Sequence, residues 1–312
     1  MPIGPVVRRI EKAMRQLLRR RVNPAHLFVL PHVVFLILFG IGPALYALVI
    51  SFASFKEGVP QLFQGGLNNY VAAYTDYRFL PSFVRIGQFL LLSVPLGVVG
   101  VMAISLLVHA RHDRLGAGMR TLYFIPGAVA GPILALLAIF MFDPGISPFA
   151  PLLHALGFQT MGQVASGNRL PFVFAIMFFF AGAGGWIAIF YGAFNGISSE
   201  IIEAAIVDGC DALRMAWSIK LPLVRPYVIY MLILTFAGNV QLFVEPQLLA
   251  RAPGAAVSKY WSPNELSYAF AFELGNFGGA AAISLVMLGI GLVGAILVIT
   301  MTDFFRVDDA DY

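Results

Sequence analysis

The residues with the types and spacing to do work lie in one short stretch. It reads Glu203-Ala204-Ala205-Ile206-Val207-Asp208-Gly209, followed by Ile219-Lys220-Leu221-Pro222 and by Pro226. The stretch is charged where the runs on either side are oily. Its chemistry is that of a grip rather than of bond-making. Ser198 or Ser199 can cap a helix that carries Glu200 and Glu203 in its first turns, near the positive end of the dipole. Ala204 and Ala205 are small enough to let another surface come close. Asp208-Gly209 is a turn pair, in which glycine takes positive φ without penalty. A second helical stretch over 212–219 puts Leu213 and Trp217 on one face at i, i+4 spacing. Pro222 suits the start of the next apolar run, where a missing N–H costs nothing. The pattern predicts a helix, a turn and a helix; an ordinary connecting loop fits it as well.

A second group is polar or aromatic within or beside the apolar runs: Tyr230, Phe236, Asn239, Gln241, Phe243, Glu245, Glu273 and Asn276. Polar groups in a membrane are costly and turn toward an interior cavity. Asparagine and glutamine offer both donors and acceptors, which suits hydroxyl-rich solutes, and the rings supply apolar faces. Interhelical hydrogen bonding explains the same residues, and Glu245 and Glu273 also fit positions in water beyond the helix ends. Catalysis is not indicated. There is no His-Glu-x-x-His motif, and the five histidines show no metal-ligand spacing. Cys210 is the single cysteine, which excludes an intrachain disulfide and reads as a small apolar filler. No catalytic residue and no metal site is expected.

These residues need a membrane to hold them. The chain has 312 residues, 59% hydrophobic and only 12% charged, against about 25% charged in a soluble protein. A bilayer core of about 30 Å takes about 20 helical residues. Six apolar runs reach that length, at 27–52, 83–108, 122–142, 171–194, 227–244 and 269–301, the last with room for an interfacial turn. Open strand edges cannot be satisfied in lipid, so the expected class is all-α, a polytopic protein of six transmembrane helices. With the N-terminus inside, 14 of the 20 Lys and Arg fall on the inner side and 6 on the outer. The positive-inside rule therefore predicts that both termini, and the loop 196–226, are cytoplasmic. The expected organisation is a basic N-terminal segment over 1–25, a six-helix domain over 26–302 and a tail over 303–312. Ile10, Met14, Leu17 and Leu18 share one face of that first segment, as in a helix lying in the headgroups. The net charge of +4 resides at the N-terminus and loops, which points to lipid and not to nucleic acid. Gly97 and Gly100, the Gly182-Gly184-Gly185 cluster and Gly289-Gly291-Gly294 read as places where helices approach closely. Trp186 reads as an interface or packing aromatic.

The first stretch resembles the EAA motif of binding-protein-dependent ABC importer permeases, E-A-A-x-x-D-G-A followed by I-x-L-P and a further proline. Glu203, Ala204, Ala205, Asp208, Gly209, Ile219, Leu221, Pro222 and Pro226 match it position by position. Cys210 replaces the usual Ala, Ala216 a frequent Phe, and Ser198 a frequent Pro. Gly66-Leu67-Asn68-Asn69-Tyr70 and Arg120-Thr121-Leu122-Tyr123-Phe124-Ile125-Pro126 resemble elements of the carbohydrate branch of that family, as does the last apolar run. The usual Gly-Gly-Gly-Pro after the fifth run is absent, and Arg251-Ala252-Pro253-Gly254 stands there.

The resemblance implies the MetI-like permease fold in a prokaryotic inner or plasma membrane. It implies a sugar or sugar-like cargo moved inward by alternating access, and a cytoplasmic ATPase dimer that carries ATP and Mg, none on this chain. It also implies a second homologous permease and an extracytoplasmic solute-binding protein. It assigns ATPase coupling to the matched residues, and the chain itself has no Gly-x-x-x-x-Gly-Lys-[Ser/Thr] loop to hold nucleotide. Two other classes remain. A carrier driven by an ion gradient would place a carboxylate deep in a span, and Asp143, Glu245 and Glu273 all fall near predicted ends. A membrane-embedded enzyme would cluster catalytic groups at one depth.

Overall fold

A computed structural model of the chain describes residues 24–56, 58–110, 114–129 and 131–302. The amphipathic face at Ile10, Met14, Leu17 and Leu18 and the tail 303–312 lie outside the described residues. The described residues fall into two compact units, divided between Val49 and Ile50.

The first unit is helical. α1 (Pro24–Phe35) runs through a π-type stretch, Leu36–Ile41, into α2 (Gly42–Ser51). The π turn has a local cause. Pro43 has no N–H to return to the preceding turn, and the amide of Gly42 reaches back five residues to the Ile37 carbonyl. Phe28 and Phe39 are 85% and 72% exposed, as suits side chains facing lipid.

The second unit begins with a small hairpin, β1 (Ser54–Lys56) paired antiparallel with β2 (Val59–Gln61), Ser54 opposite Gln61. The helix α3 (Asn68–Thr75) follows. Asn69 Nδ2 donates to the Ser51 and Ala53 carbonyls at 2.9 and 2.8 Å, and Ser51 Oγ pairs with Tyr70 OH at 2.9 Å. Asn69 and Tyr70 thus pin the start of the hairpin to α3.

Two long helices carry the rest: α4 (Phe79–His109), then α5 (Arg114–Gly127), α6 (Gly131–Phe142), the short α7 (Ala150–Ala155) and α8 (Met161–Val164), and the second long helix α9 (Leu170–Asn195). α10 (Ser199–Val207), α11 (Ala212–Met215), a π-type stretch Ala216–Lys220 and the single turn α12 (Leu221–Leu223) connect α9 to α13 (Arg225–Val240). α14 (Val244–Leu249), α15 (Pro263–Phe272) and α16 (Phe277–Met301) complete the unit.

Among the described residues four helices are long and apolar enough to cross a membrane: Leu27–Ser51, Phe79–His109, Gly167–Asn195 and Phe277–Met301. Two bent pairs bring the number to six if each pair counts as one span. The run 122–142 is such a pair rather than one straight helix, because Pro132 fits only the first turn of a new helix. In the other pair Pro222 lies in α12, and it is Pro226 that occupies the first turn of α13. The sixth run is interrupted at 273–276, where Gly275 has φ +66° and Asn276 Oδ1 accepts from Gly279 N at 2.8 Å to cap α16.

Three buried clusters hold the second unit. Phe89, Phe174 and Trp261 interlock edge-on, with ring centroids 6.4 and 4.9 Å apart. Val101, Ile187, Phe190, Phe194, Val224 and Met231 join α4, α9 and the start of α13. Leu266, Phe270 and Ile283 join α15 to α16, with Ala73 of α3 against them.

The glycines separate into crowded and free. A Cβ added at Gly184 would collide with the Tyr123 carbonyl of α5, and one at Gly294 with the Phe236 ring, whereas at Gly182, Gly185, Gly289 and Gly291 it would meet nothing within 4 Å. The α9–α5 contact is thus backbone against backbone and cannot yield by a rotamer change. Gly184→Val should destabilise the fold by roughly 1–3 kcal/mol, read as earlier thermal loss of the monodisperse peak in detergent. Gly185→Ala should leave that profile within error.

Candidate functional site

The segment 198–224 is built by local capping rules. Ser198 Oγ accepts from Glu200 N at 3.2 Å and starts α10. Its far end closes as a Schellman motif. Cys210 N donates to the Ala205 carbonyl at 2.9 Å, and Gly209 N to Ile206 at 3.0 Å. Gly209 sits at φ +75° with open space where a Cβ would go, so the backbone and not packing demands glycine there. Asp211 Oδ1 then accepts from Arg214 N at 2.7 Å and starts α11. Two oppositely capped helix ends meet at Gly209–Asp211, which fixes the turn.

The segment faces two ways. Glu203, Ala204, Asp208 and Gly209 are exposed, while Ala205 and Met215 are buried. Val207 is 86% exposed, Leu213 69% and Trp217 68%, a large apolar area left open. Ile219 and Leu221 are half-buried and Pro222 is exposed. Leu221 and fully buried Val224 pack into the cluster of Phe190 and Phe194. One end of the segment is open and the other is anchored among the long helices.

The second group does not converge. Asn239 is buried, and its Nδ2 donates to Ser93 Oγ at 2.9 Å, tying α13 to α4. Both line a cavity of about 300 Å³ with Gly97, Trp186, Thr235 and Gly238. Tyr230 is exposed, its ring edge-on to Trp186 at 5.8 Å. Gln241 is exposed beyond the end of α13, Glu245 is half-buried on α14, and Asn276 caps α16. Phe243 packs on Tyr268 at 5.7 Å. Glu273 accepts from Tyr260 OH at 3.0 Å and borders a separate cavity of about 140 Å³ with Gln247, Arg251, Lys259, Glu265 and Tyr268. Ser93 and Thr235 escaped sequence reasoning because small hydroxyls hardly alter an apolar run; their place in an otherwise oily helix was the available signal. Trp186, read as an interface or packing aromatic, lines the first cavity.

Glu265 is 3% exposed. Its Oε2 accepts from the Trp261 and Ser262 amides, both at 3.0 Å, while Ser262 Oγ accepts from Glu265 N at 3.2 Å. This capping box starts α15. Oε1 has no hydrogen-bond partner among the described residues. Burial pushes the carboxyl up to about 8 against the opposing pull of the cap amides and Arg85. Among the described residues no group of three His, Cys, Asp or Glu is placed to hold a metal ion.

No family model matches the chain. Over 246 residues it is 27% identical to the multiple sugar-binding transport system permease protein MsmF of Streptococcus mutans, covering 78% of this chain and 82% of that protein. Over 229 residues it is 32% identical to the sn-glycerol-3-phosphate transport system permease protein UgpA of Escherichia coli, covering 70% and 73%. A chain of a bacterial ABC transporter involved in the import of the acidic polysaccharide alginate shares its fold, with a TM-score of 0.75, 16% identity, and 97% of this chain and 100% of that chain covered. A bacterial alginate ABC transporter in complex with an alginate pentasaccharide-bound periplasmic protein superposes at TM-score 0.74 and 16% identity, over 93% and 96% of the two chains.

The buried carboxyl gives a pH test. A folded value near 8 against an ordinary 4.5 means that the folded state binds more protons between those values, so stability falls as pH rises through that window. Thermal unfolding in detergent should occur earlier at high than at low pH within the window. Glu265→Gln, which keeps an acceptor for the two amides, should remove that part of the slope; an unchanged slope would mean that Glu265 does not titrate there.

Proposed function

The chain belongs to the family of sugar ABC transporter permeases, and from that premise we propose that it is the membrane subunit of an ATP-driven importer. In this reading a solute-binding protein outside the cell delivers a sugar or sugar-like cargo. The chain passes it inward by alternating access, each ligand biasing the balance of two arrangements by its differential affinity. The chain does no bond chemistry. ATP and Mg bind a pair of cytoplasmic ATPase subunits, and a second, homologous permease forms the other wall of the pathway. The membrane is a prokaryotic inner or plasma membrane. The excess of Lys and Arg on one side supports six spans with both termini and the 198–224 segment cytoplasmic.

The observation that carries the coupling role is the division of that segment. Its turn is locked by caps and presents exposed Val207, Leu213 and Trp217 beside Glu203 and Asp208, while Leu221 and Val224 are set among the long helices. A surface of that kind fits a groove on a partner, and the buried end carries displacement into the bundle. Glu203, Ala204, Asp208 and Gly209 would form the docked part, with buried Ala205 seating the helix behind it, and Ile219, Leu221 and Pro222 the transmitting part. The cavity lined by Ser93, Trp186, Thr235 and Asn239 is the best-supported place for solute inside the bundle, offering hydroxyl and amide groups beside an aromatic face. Glu273 belongs to the other cavity, and Tyr230, Gln241, Phe243, Glu245 and Asn276 have weaker support as solute contacts. A carrier driven by an ion gradient is disfavoured, because none of the four long apolar helices contains an Asp or Glu.

Vesicle transport separates the readings. Uptake should need ATP and the binding protein and survive an uncoupler; the reverse pattern would make this an ion-driven carrier. Val207→Asp and Glu203→Ala should leave the chain inserted. Each should reduce ATPase co-purification and uptake about tenfold, equivalent to roughly 1.4 kcal/mol of docking energy. Wild-type co-purification and uptake in both variants would remove the docking assignment.

A further inference from the structure

One polar contact links the segment behind the turn to the long helices. Lys220 Nζ lies 3.2 Å from His109 Nδ1 in the last turn of α4. An ammonium has donors only, so Lys220 Nζ donates and Nδ1 accepts. The His109 ring is 8% exposed and packs against two α9 rings, Tyr191 at 5.6 Å and Phe194 at 5.3 Å. On Tyr191 rests the Arg120 guanidinium of α5, 3.9 Å from the ring centroid. A continuous row of side chains therefore runs from Lys220 through His109 and Tyr191 to Arg120, touching α4, α9 and α5.

We propose that His109 and Lys220 are positioning residues of the transport cycle, a strut that carries displacement of the 199–215 segment into α4, α9 and α5. The proposal rests on the coupling role given above and adds the path by which force enters the bundle. Apolar packing at Leu221 and Val224 resists separation but does not by itself fix the segment's rotation. A charge-assisted hydrogen bond to a ring wedged against two other rings is directional, and it fixes the segment's rotation as well as its distance.

The test uses the assembled complex of permeases, ATPase and binding protein in liposomes, with solute moved per ATP hydrolysed as the readout. ATPase co-purification and binding-protein-stimulated hydrolysis are followed alongside. Lys220→Met and His109→Phe should keep the ATPase bound yet lower solute per ATP about tenfold. Lys220→Arg and His109→Gln, which keep a donor and an acceptor, should restore it. A wild-type ratio in Lys220→Met, or no rescue by Lys220→Arg and His109→Gln, would overturn the strut and leave the coupling role intact. Failure of the unaltered chain to bind an ATPase would overturn the coupling role, and the strut with it.

Discussion

Close approach of backbones is the constraint on which the rest of the structure depends. Lipid tails are as apolar as leucine, so helices in a bilayer gain little by hiding apolar surface from it. What holds them is contact at short range. The α9–α5 crossing at Gly184 brings backbone to backbone, and the crossing at Gly294 seats the Phe236 ring where a side chain would otherwise stand. Gly100 does the same for Phe179. Such contacts leave no slack. A bundle fixed this way moves as packed pieces rather than by gradual deformation.

Polar groups are held at equally short range. In a dry interior a donor needs a partner close by, as Asn239 finds on Ser93; the more exposed Ser267 and Ser284 pair across helices too. Interhelical bonds of this type average about 0.6 kcal/mol in membranes, so they set register more than they supply stability. Breaks in the helices fall where side chains or positive φ can satisfy the freed amides. Asn276 caps α16 after Gly275, and the capping box of Ser262 and Glu265 starts α15. Irregular backbone at these breaks thus comes with its own hydrogen bonds.

This explains which features were legible in the sequence. The 198–224 segment was, because its shape comes from residues a few positions apart: a serine at one end, glycine at the required φ, aspartate at the next start. Helix breaks were half legible. Pro132 and Pro226 mark restarts, yet proline also lies within α4 at Pro95 without ending it, so the residue type alone does not decide. The cavity lined by Ser93, Trp186, Thr235 and Asn239 was not legible. Asn239 and Gln241 are two positions apart, and one is buried against α4 while the other is exposed past the end of its helix. Rotation and length of a helix settle that difference, and both are set by contacts distant in sequence.

The mechanical reading follows from these two kinds of order together. A lever needs a rigid tip and a firm root. The tip is rigid because the Schellman closure at Ala205–Cys210 and the Asp211 cap leave the turn few alternative conformations. The root is firm because Val224 is fully buried with Phe190 and Phe194. Between them lies the π-type stretch Ala216–Lys220, whose wider hydrogen-bond spacing is the weakest helical geometry on the path. Bending would concentrate there unless something bridges it. Lys220 ends that stretch and reaches His109, so the weakest turn is braced to the end of α4 at the point where a push on the tip would otherwise be lost as local deformation.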